Sequence, residues 1–141
     1  DADAQAIAVY LRALPQRALA PADVVKPSAA TLERGAKVYE QHCAQCHGDN
    51  GEGKPGAFPA LAGNRAVVLQ DPTNLVRVVL QGGYLPATAG NPRPHGMPPF
   101  MQVLGDDDVA AVSTFVRNAW GNQAPAVGTI GVYRARERRG S

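Results

Sequence analysis

Cys43-Ala44-Gln45-Cys46-His47 is the stretch of this chain whose reading decides the fold. The spacing C-x-x-C-H is the attachment signature of a c-type haem. Two thiols separated by two residues sit on one helical turn, at the distance needed to add across the two vinyl groups of a porphyrin. The imidazole that follows then falls beneath the iron as its proximal ligand. Cys43 and Cys46 are thus the expected thioether positions and His47 the expected first iron ligand. A redox dithiol also uses C-x-x-C, but within a βαβ unit; no strand-like alternation of Val and Ile surrounds Cys43. Structural zinc wants a full set of Cys and His ligands. The chain has only two Cys and three His (His42, His47 and His95), with no second C-x-x-C. A surface disulfide across a tight turn is the plainest rival, and the adjoining His47 tips the balance against it.

Composition fits a small fold built around a cofactor. The 141 residues suffice for one domain plus extensions. They are 45% hydrophobic but only 6% aromatic, and include 15 Gly and 12 Pro, which predicts a few helices joined by long irregular loops. A buried prosthetic group would supply the core that so small a chain lacks. The net charge of +2 is concentrated at the end: Arg134, Arg136, Arg138 and Arg139 against Glu137 give +3, leaving −1 for the rest. Nucleic-acid binding would need a basic stripe on folded elements, and none is visible. The arginines read as a disordered tail or a weak contact to an acidic partner. No run of 18 apolar residues could span a membrane, and no signal peptide is visible. Since c-type haem is attached after export in bacteria, the expectation is a mature or trimmed form of a periplasmic protein.

Along the chain, Leu32, Gly35, Ala36, Tyr39 and Cys43 make one apolar stripe, predicting a helix over 29–47 with Ser28 or Thr31 as its cap. A second helix is expected from Asp71, as N-cap, to Leu80, stopped by Gly82-Gly83. Residues 84–99, with five Pro, read as a loop wrapping something. The last strong helix is predicted over 106–120, opened by three Asp that suit its positive end.

The sixth position of an iron held by His47 has four candidates. His42 adjoins Cys43, on the same side as His47, and cannot reach over the porphyrin. Met97 lies in His95-Gly96-Met97-Pro98-Pro99-Phe100, where proline stiffens the loop and Gly96 permits close approach, so its thioether is favoured. Met101, His95 and an open site stay in contention. A thioether ligand would raise the reduction potential over a second imidazole. An open site would instead mark a haem enzyme or a gas-binding module.

Residues 1–14 echo the last helix. A shift of 105 positions pairs Asp1 with Asp106, Asp3 with Asp108, Ala6 with Ala111, Ile7 with Val112, Tyr10 with Phe115 and Arg12 with Arg117. Residues 1–16 therefore read as the terminal helix of a preceding haem domain or an N-terminal extension, and 17–28 as a linker. Residues 29–122 form the haem domain and 123–141 a tail.

The chain resembles the class I cytochrome c family in Cys43–Gly48, in Pro59 twelve residues past His47, and in Met97-Pro98 before a final amphipathic helix. The resemblance implies an all-α fold of three to five helices around one covalently bound haem c. It implies that the Pro59 carbonyl accepts the His47 imidazole N–H, and that Gly35 and Tyr39 pack against Phe115. Pro59–Asn64, Met97–Phe100 and Val116–Asn122 are further similar to the C-terminal haem domain of the multi-haem subunits of membrane-bound alcohol, aldehyde and gluconate dehydrogenases. That likeness implies one-electron transfer rather than catalysis. The partners would be a dehydrogenase subunit, other haem domains, a quinone or a terminal oxidase, with membrane association only through the complex.

Overall fold

In the computed structural model, residues 2–14, 26–84, 86–89, 92 and 95–137 are described. They form the helices α1 (Ala2–Ala13), α2 (Ala29–His42), α3 (Ala44–His47), α4 (Thr73–Gln81), α5 (Asp106–Val116) and α6 (Thr129–Glu137), with no strand among them. The fold is all-α as expected, with six helices instead of three to five. None of these helices is long and apolar enough to cross a membrane. The expected linker lies outside the described residues up to Val25, as do Arg138 and Arg139 and parts of the 84–99 loop.

One of the extra helices comes from a break. Ser28 caps α2, its Oγ accepting from the Thr31 amide at 3.1 Å. Cys43, at φ −122° and ψ −39°, then interrupts the helix expected over 29–47. Its carbonyl accepts from the amides of Cys46 (3.1 Å) and His47 (3.0 Å), so a new turn, α3, restarts at Ala44.

The core forms where α2 crosses α5. Gly35 permits the approach: a Cβ there would lie 2.6 Å from Phe115 Cβ. Tyr39 packs its ring on Phe115 (centroids 5.5 Å apart) and on Trp120 (4.9 Å). Beside this seam Arg34 Nε meets Asp108 at 2.8 Å, so one of the three opening aspartates pairs across helices as well as facing the helix dipole. α5 starts at Asp106 as predicted but stops at Val116. The amides of Asn118 and Ala119 both turn back to Phe115 O, and Trp120 takes a positive φ of 54°. Its ring is held against Tyr39 and Phe115, contacts that can offset such backbone strain.

α4 begins one residue later than predicted. Asp71 still does the capping, its Oδ1 accepting from Thr73 N (2.9 Å) and Oγ1 (2.6 Å), while Pro72 occupies the cap position. Gly82, at φ +71°, ends the helix.

The largest departure is at the C-terminal end, where a tail was expected from residue 123. Residues 129–137 instead form α6, which packs on α4 and α5 with Val132 fully buried and Ala135 buried. Val127 leads into it, its amide bonded to Thr114 Oγ1 at 2.9 Å. Arg136, expected in a disordered tail or a weak contact to an acidic partner, reaches inward to Asp106, with Nε–Oδ1 at 2.7 Å. The segment hides because it interleaves few apolar residues with Gly and Arg, which blurs any helical period.

Ending the chain after Gly128 should therefore destabilise it by about 3 kcal/mol, from one buried valine and the bonds of Arg136; thermal unfolding followed by circular dichroism measures this, and an unchanged Tm would restore the tail. Gly35→Val should cost about 1–3 kcal/mol by overpacking the α2–α5 crossing, read from denaturant midpoints.

Candidate haem site

Helix α3 delivers His47 into an apolar cleft between α4, α5 and the loops that follow α3 and α4. Cys43, His47, Pro59, Met97, Leu75, Val79 and Val116 are among its lining residues, and the space between them, open solvent at its mouth included, is about 810 Å³. Four residues singled out in the sequence thus meet in one place. Cys46 is partly buried on α3 but does not line the cleft. The alternatives for the sixth position lie elsewhere: Met101 packs against the core, and the His95 ring lies 4.9 Å from that of Phe58. His42 sits edge-on to Phe100.

His47 is oriented by geometry. Its Nδ1 lies 2.9 Å from Pro59 O. A carbonyl only accepts, so Nδ1 carries the hydrogen, and in the neutral ring Nε2 is then the nitrogen with the free lone pair, the tautomer an iron ligand needs. The turn after α3 fixes the imidazole further: His47 O accepts from Gly53 N at 2.7 Å, and Tyr39 Oη donates to Gly48 O at 2.6 Å. Burial and then the nearby Cys43 push the Tyr39 phenol well above its usual range, so it stays protonated as this donor.

Burial, then the neighbouring Cys46, pushes the Cys43 thiol up to about 11. Dithiol oxidoreductases depend on the opposite, a depressed thiol pKa. The raised Cys43 thiol runs against that chemistry.

The chain at Met97, on the same cleft, is pinned to the end of α4. Met97 N donates to Gly83 O (2.8 Å) and Gly83 N to Met97 O (3.1 Å). Gly82 matters here, since a Cβ on it would lie 2.9 Å from Pro99 N.

Three polar side chains that the sequence reading did not single out hold or face the cleft wall. Asn122 spends its whole amide on the loop after Pro59 and on α5: Nδ2 donates to Leu61 O (3.0 Å) and Val116 O (2.8 Å), and Oδ1 accepts from Gly63 N (3.0 Å). Arg117, fully buried, donates from Nη1 to Val67 O and Leu69 O (both 2.8 Å) and from Nε to Pro125 O (3.0 Å). Ser113 lines the cleft with a buried hydroxyl that has no protein partner, as expected of a wall built to face a bound group. A sequence signal for Asn122 existed only in the Val116–Asn122 stretch, and for Arg117 there and in its pairing with Arg12. Nothing marked Ser113, which replaces an apolar residue at one position of a helical stripe.

The donor set, the apolar walls and the orphaned Ser113 hydroxyl all fit a haem. Comparison with known proteins agrees. The family described as Cytochrome c matches residues 32–120. The cytochrome c subunit of the quinone alcohol dehydrogenase of Gluconobacter oxydans is 47% identical over 96 residues, covering 68% of this chain and 20% of that subunit. The gluconate 2-dehydrogenase cytochrome c subunit of Pantoea cypripedii is 40% identical over 98 residues, covering 69% and 22%. Cytochrome c-552 of Thermus thermophilus is 38% identical over 91 residues, covering 62% of this chain and 69% of that protein. The chain thus spans about a fifth of the length of the two dehydrogenase subunits. With its C-x-x-C-H cleft and its helical frame, the chain belongs to the cytochrome c family, as an electron-transfer domain with covalently bound haem c.

Proposed function

We propose that this chain carries single electrons on a haem held by thioethers to Cys43 and Cys46 and ligated by His47 and Met97, with Pro59 O steering the His47 imidazole. The observation that carries this reading is that His47, its Nδ1 held 2.9 Å from Pro59 O, and Met97 line one apolar cleft. The haem supplies an iron that alternates between ferric and ferrous states. His47 and Met97 would hold that iron, and the apolar walls would keep water from it, so that it would carry electrons without making a substrate bond. Second-sphere bonds such as that of Pro59 raise the basicity of the imidazole. The donor is a dehydrogenase subunit or a neighbouring haem, and the acceptor a quinone, an oxidase or another cytochrome, on the periplasmic side of the membrane. The named dehydrogenase cytochrome subunits among the relatives support this placement.

The N-terminal helix extends the proposal: residues 1–16 belong to a preceding domain of the same kind. In α5 the residues Ala111, Val112 and Val116 are buried and Phe115 packs on Tyr39 of α2. Their counterparts on α1 face solvent, with Ile7 59% exposed, Tyr10 65% and Leu11 55%. An apolar face of that extent calls for a partner, and the partner of the same pattern in α5 is an attachment helix.

Ferric protein should show a thioether-to-iron charge-transfer band in the near infrared and, once reduced, should not take up CO. Met97→Ala should abolish the band and Met101→Ala should keep it; high-spin iron in the parent protein, or loss of the band only in Met101→Ala, would sink the assignment. Met97→His should lower the reduction potential, because thioether sulfur favours the ferrous state. Removing residues 1–13 should leave the haem spectrum and Tm of this domain unchanged, since α1 packs against none of the other described helices; a fall in Tm would show that α1 belongs to this domain.

A further inference from the structure

The segment from Met97 to Gly105 is short of its own hydrogen bonds. Pro98 and Pro99 have no N–H to give. The next two amides point towards α4, with Phe100 N bonded to Val79 O and Met101 N to Leu80 O, both at 3.1 Å. The amides of Val103 and Leu104 turn back to Phe100 O, both at 2.9 Å. The carbonyls of Met101 and Leu104 are taken by a single side chain, Arg136 of α6. Its Nη1 donates to Met101 O and its Nη2 to Leu104 O (3.0 Å), while Nε holds Asp106 at the start of α5. The guanidinium thus fastens both the end of the Met97 segment and the beginning of the next helix. Its side chain is 25% exposed, so these charge-assisted bonds are partly shielded from water. α6 itself is anchored by the fully buried Val132 and by Ala135.

We infer that Arg136 is a positioning residue for the sixth iron ligand: by clamping the far end of the Met97–Gly105 segment, it keeps the Met97 thioether in the cleft. The inference rests on Met97 being that ligand. A sixth ligand on a loop is lost whenever the loop opens locally, and an added ligand binds only the open fraction. The apparent affinity for such a ligand therefore reports the opening equilibrium directly. Fewer bonds on the segment mean a larger open fraction at unchanged intrinsic affinity.

The test uses the haem-loaded protein and imidazole as the competing ligand, following the near-infrared thioether band as imidazole is added. Arg136→Gln should bind imidazole roughly tenfold more tightly than the parent, the size expected from losing one charge-assisted hydrogen bond. Arg136→Lys, which keeps the charge but cannot reach all three acceptors, should fall between the two. The Tm is measured alongside. A merely structural role would lower Tm and leave the imidazole midpoint where it was, and that result overturns the inference. If Arg136→Gln does not load haem, Arg136→Lys decides alone: a midpoint equal to the parent's overturns the inference, a tighter one supports it. A parent protein without the thioether band would instead overturn the Met97 ligation on which the inference stands.

Discussion

The close crossing of α2 and α5 at Gly35 is the contact on which the rest of the structure depends. α2 ends at Cys43, and both Cys43 and the α5 residues Val112, Ser113 and Val116 line the cleft. How nearly the two backbones approach sets where these residues stand. A Cβ on Gly35 would push α5 outward at Ala111 and Phe115. The aromatic triad of Tyr39, Phe115 and Trp120 then locks the rotation of one helix on the other, adding directional contacts to the area buried. Tyr39 joins the two tasks, since its ring belongs to the crossing and its hydroxyl holds the turn beneath His47.

Beyond that crossing, the site is walled mostly by loops. Loops do not satisfy their own backbone groups, and a buried carbonyl without a donor costs about 1–3 kcal/mol. This chain meets the difficulty with three long polar side chains, each spanning two segments. Asn122 binds the Leu61–Gly63 turn to α5, Arg117 binds Val67 and Leu69 to the stretch at Pro125, and Arg136 binds the Met97 segment to α6. The guanidinium suits this work because its donors are fixed in one plane and can serve several carbonyls at once, which a lysine ammonium cannot do with the same order. The cost is visible in Arg117, whose Nη2 is buried without a partner. Burial disfavours its charged form and the nearby Asp71 favours it.

The chemistry of the centre was more legible in the sequence than the frame that holds it. The C-x-x-C-H spacing, Pro59 and Met97 are short-range or loop-borne signals, and Cys43, His47, Pro59 and Met97 line one cleft because each is tied to a fixed local geometry. Helix existence was legible wherever an apolar stripe was strong, as in α2, α4 and α5. Boundaries were not: Cys43 breaks α2 through its backbone conformation, and α5 ends four residues early because Trp120 is drawn into the aromatic cluster. α6 escaped notice for a different reason. Its stability comes from one buried valine and from an arginine serving carbonyls thirty-odd residues away, and neither leaves a periodic trace. Pairings of that kind are tertiary facts, written in no local window.

The helices α1 and α5 make the same point within one chain. They share Asp, Ala, aliphatic, aromatic and Arg positions at a constant offset, so any reading of pattern alone treats them alike. In α5 that pattern is buried, down to an arginine with no exposed surface, because α2 and the loop after Pro59 cover it. In α1 it lies open, Arg12 included. Amphipathicity therefore specifies which face of a helix needs covering, while the covering element decides whether an arginine on that helix becomes a buried clamp or a solvated charge. For α5 that element is the helix bearing Cys43 at its end. The pattern of α1 calls for one of the same kind.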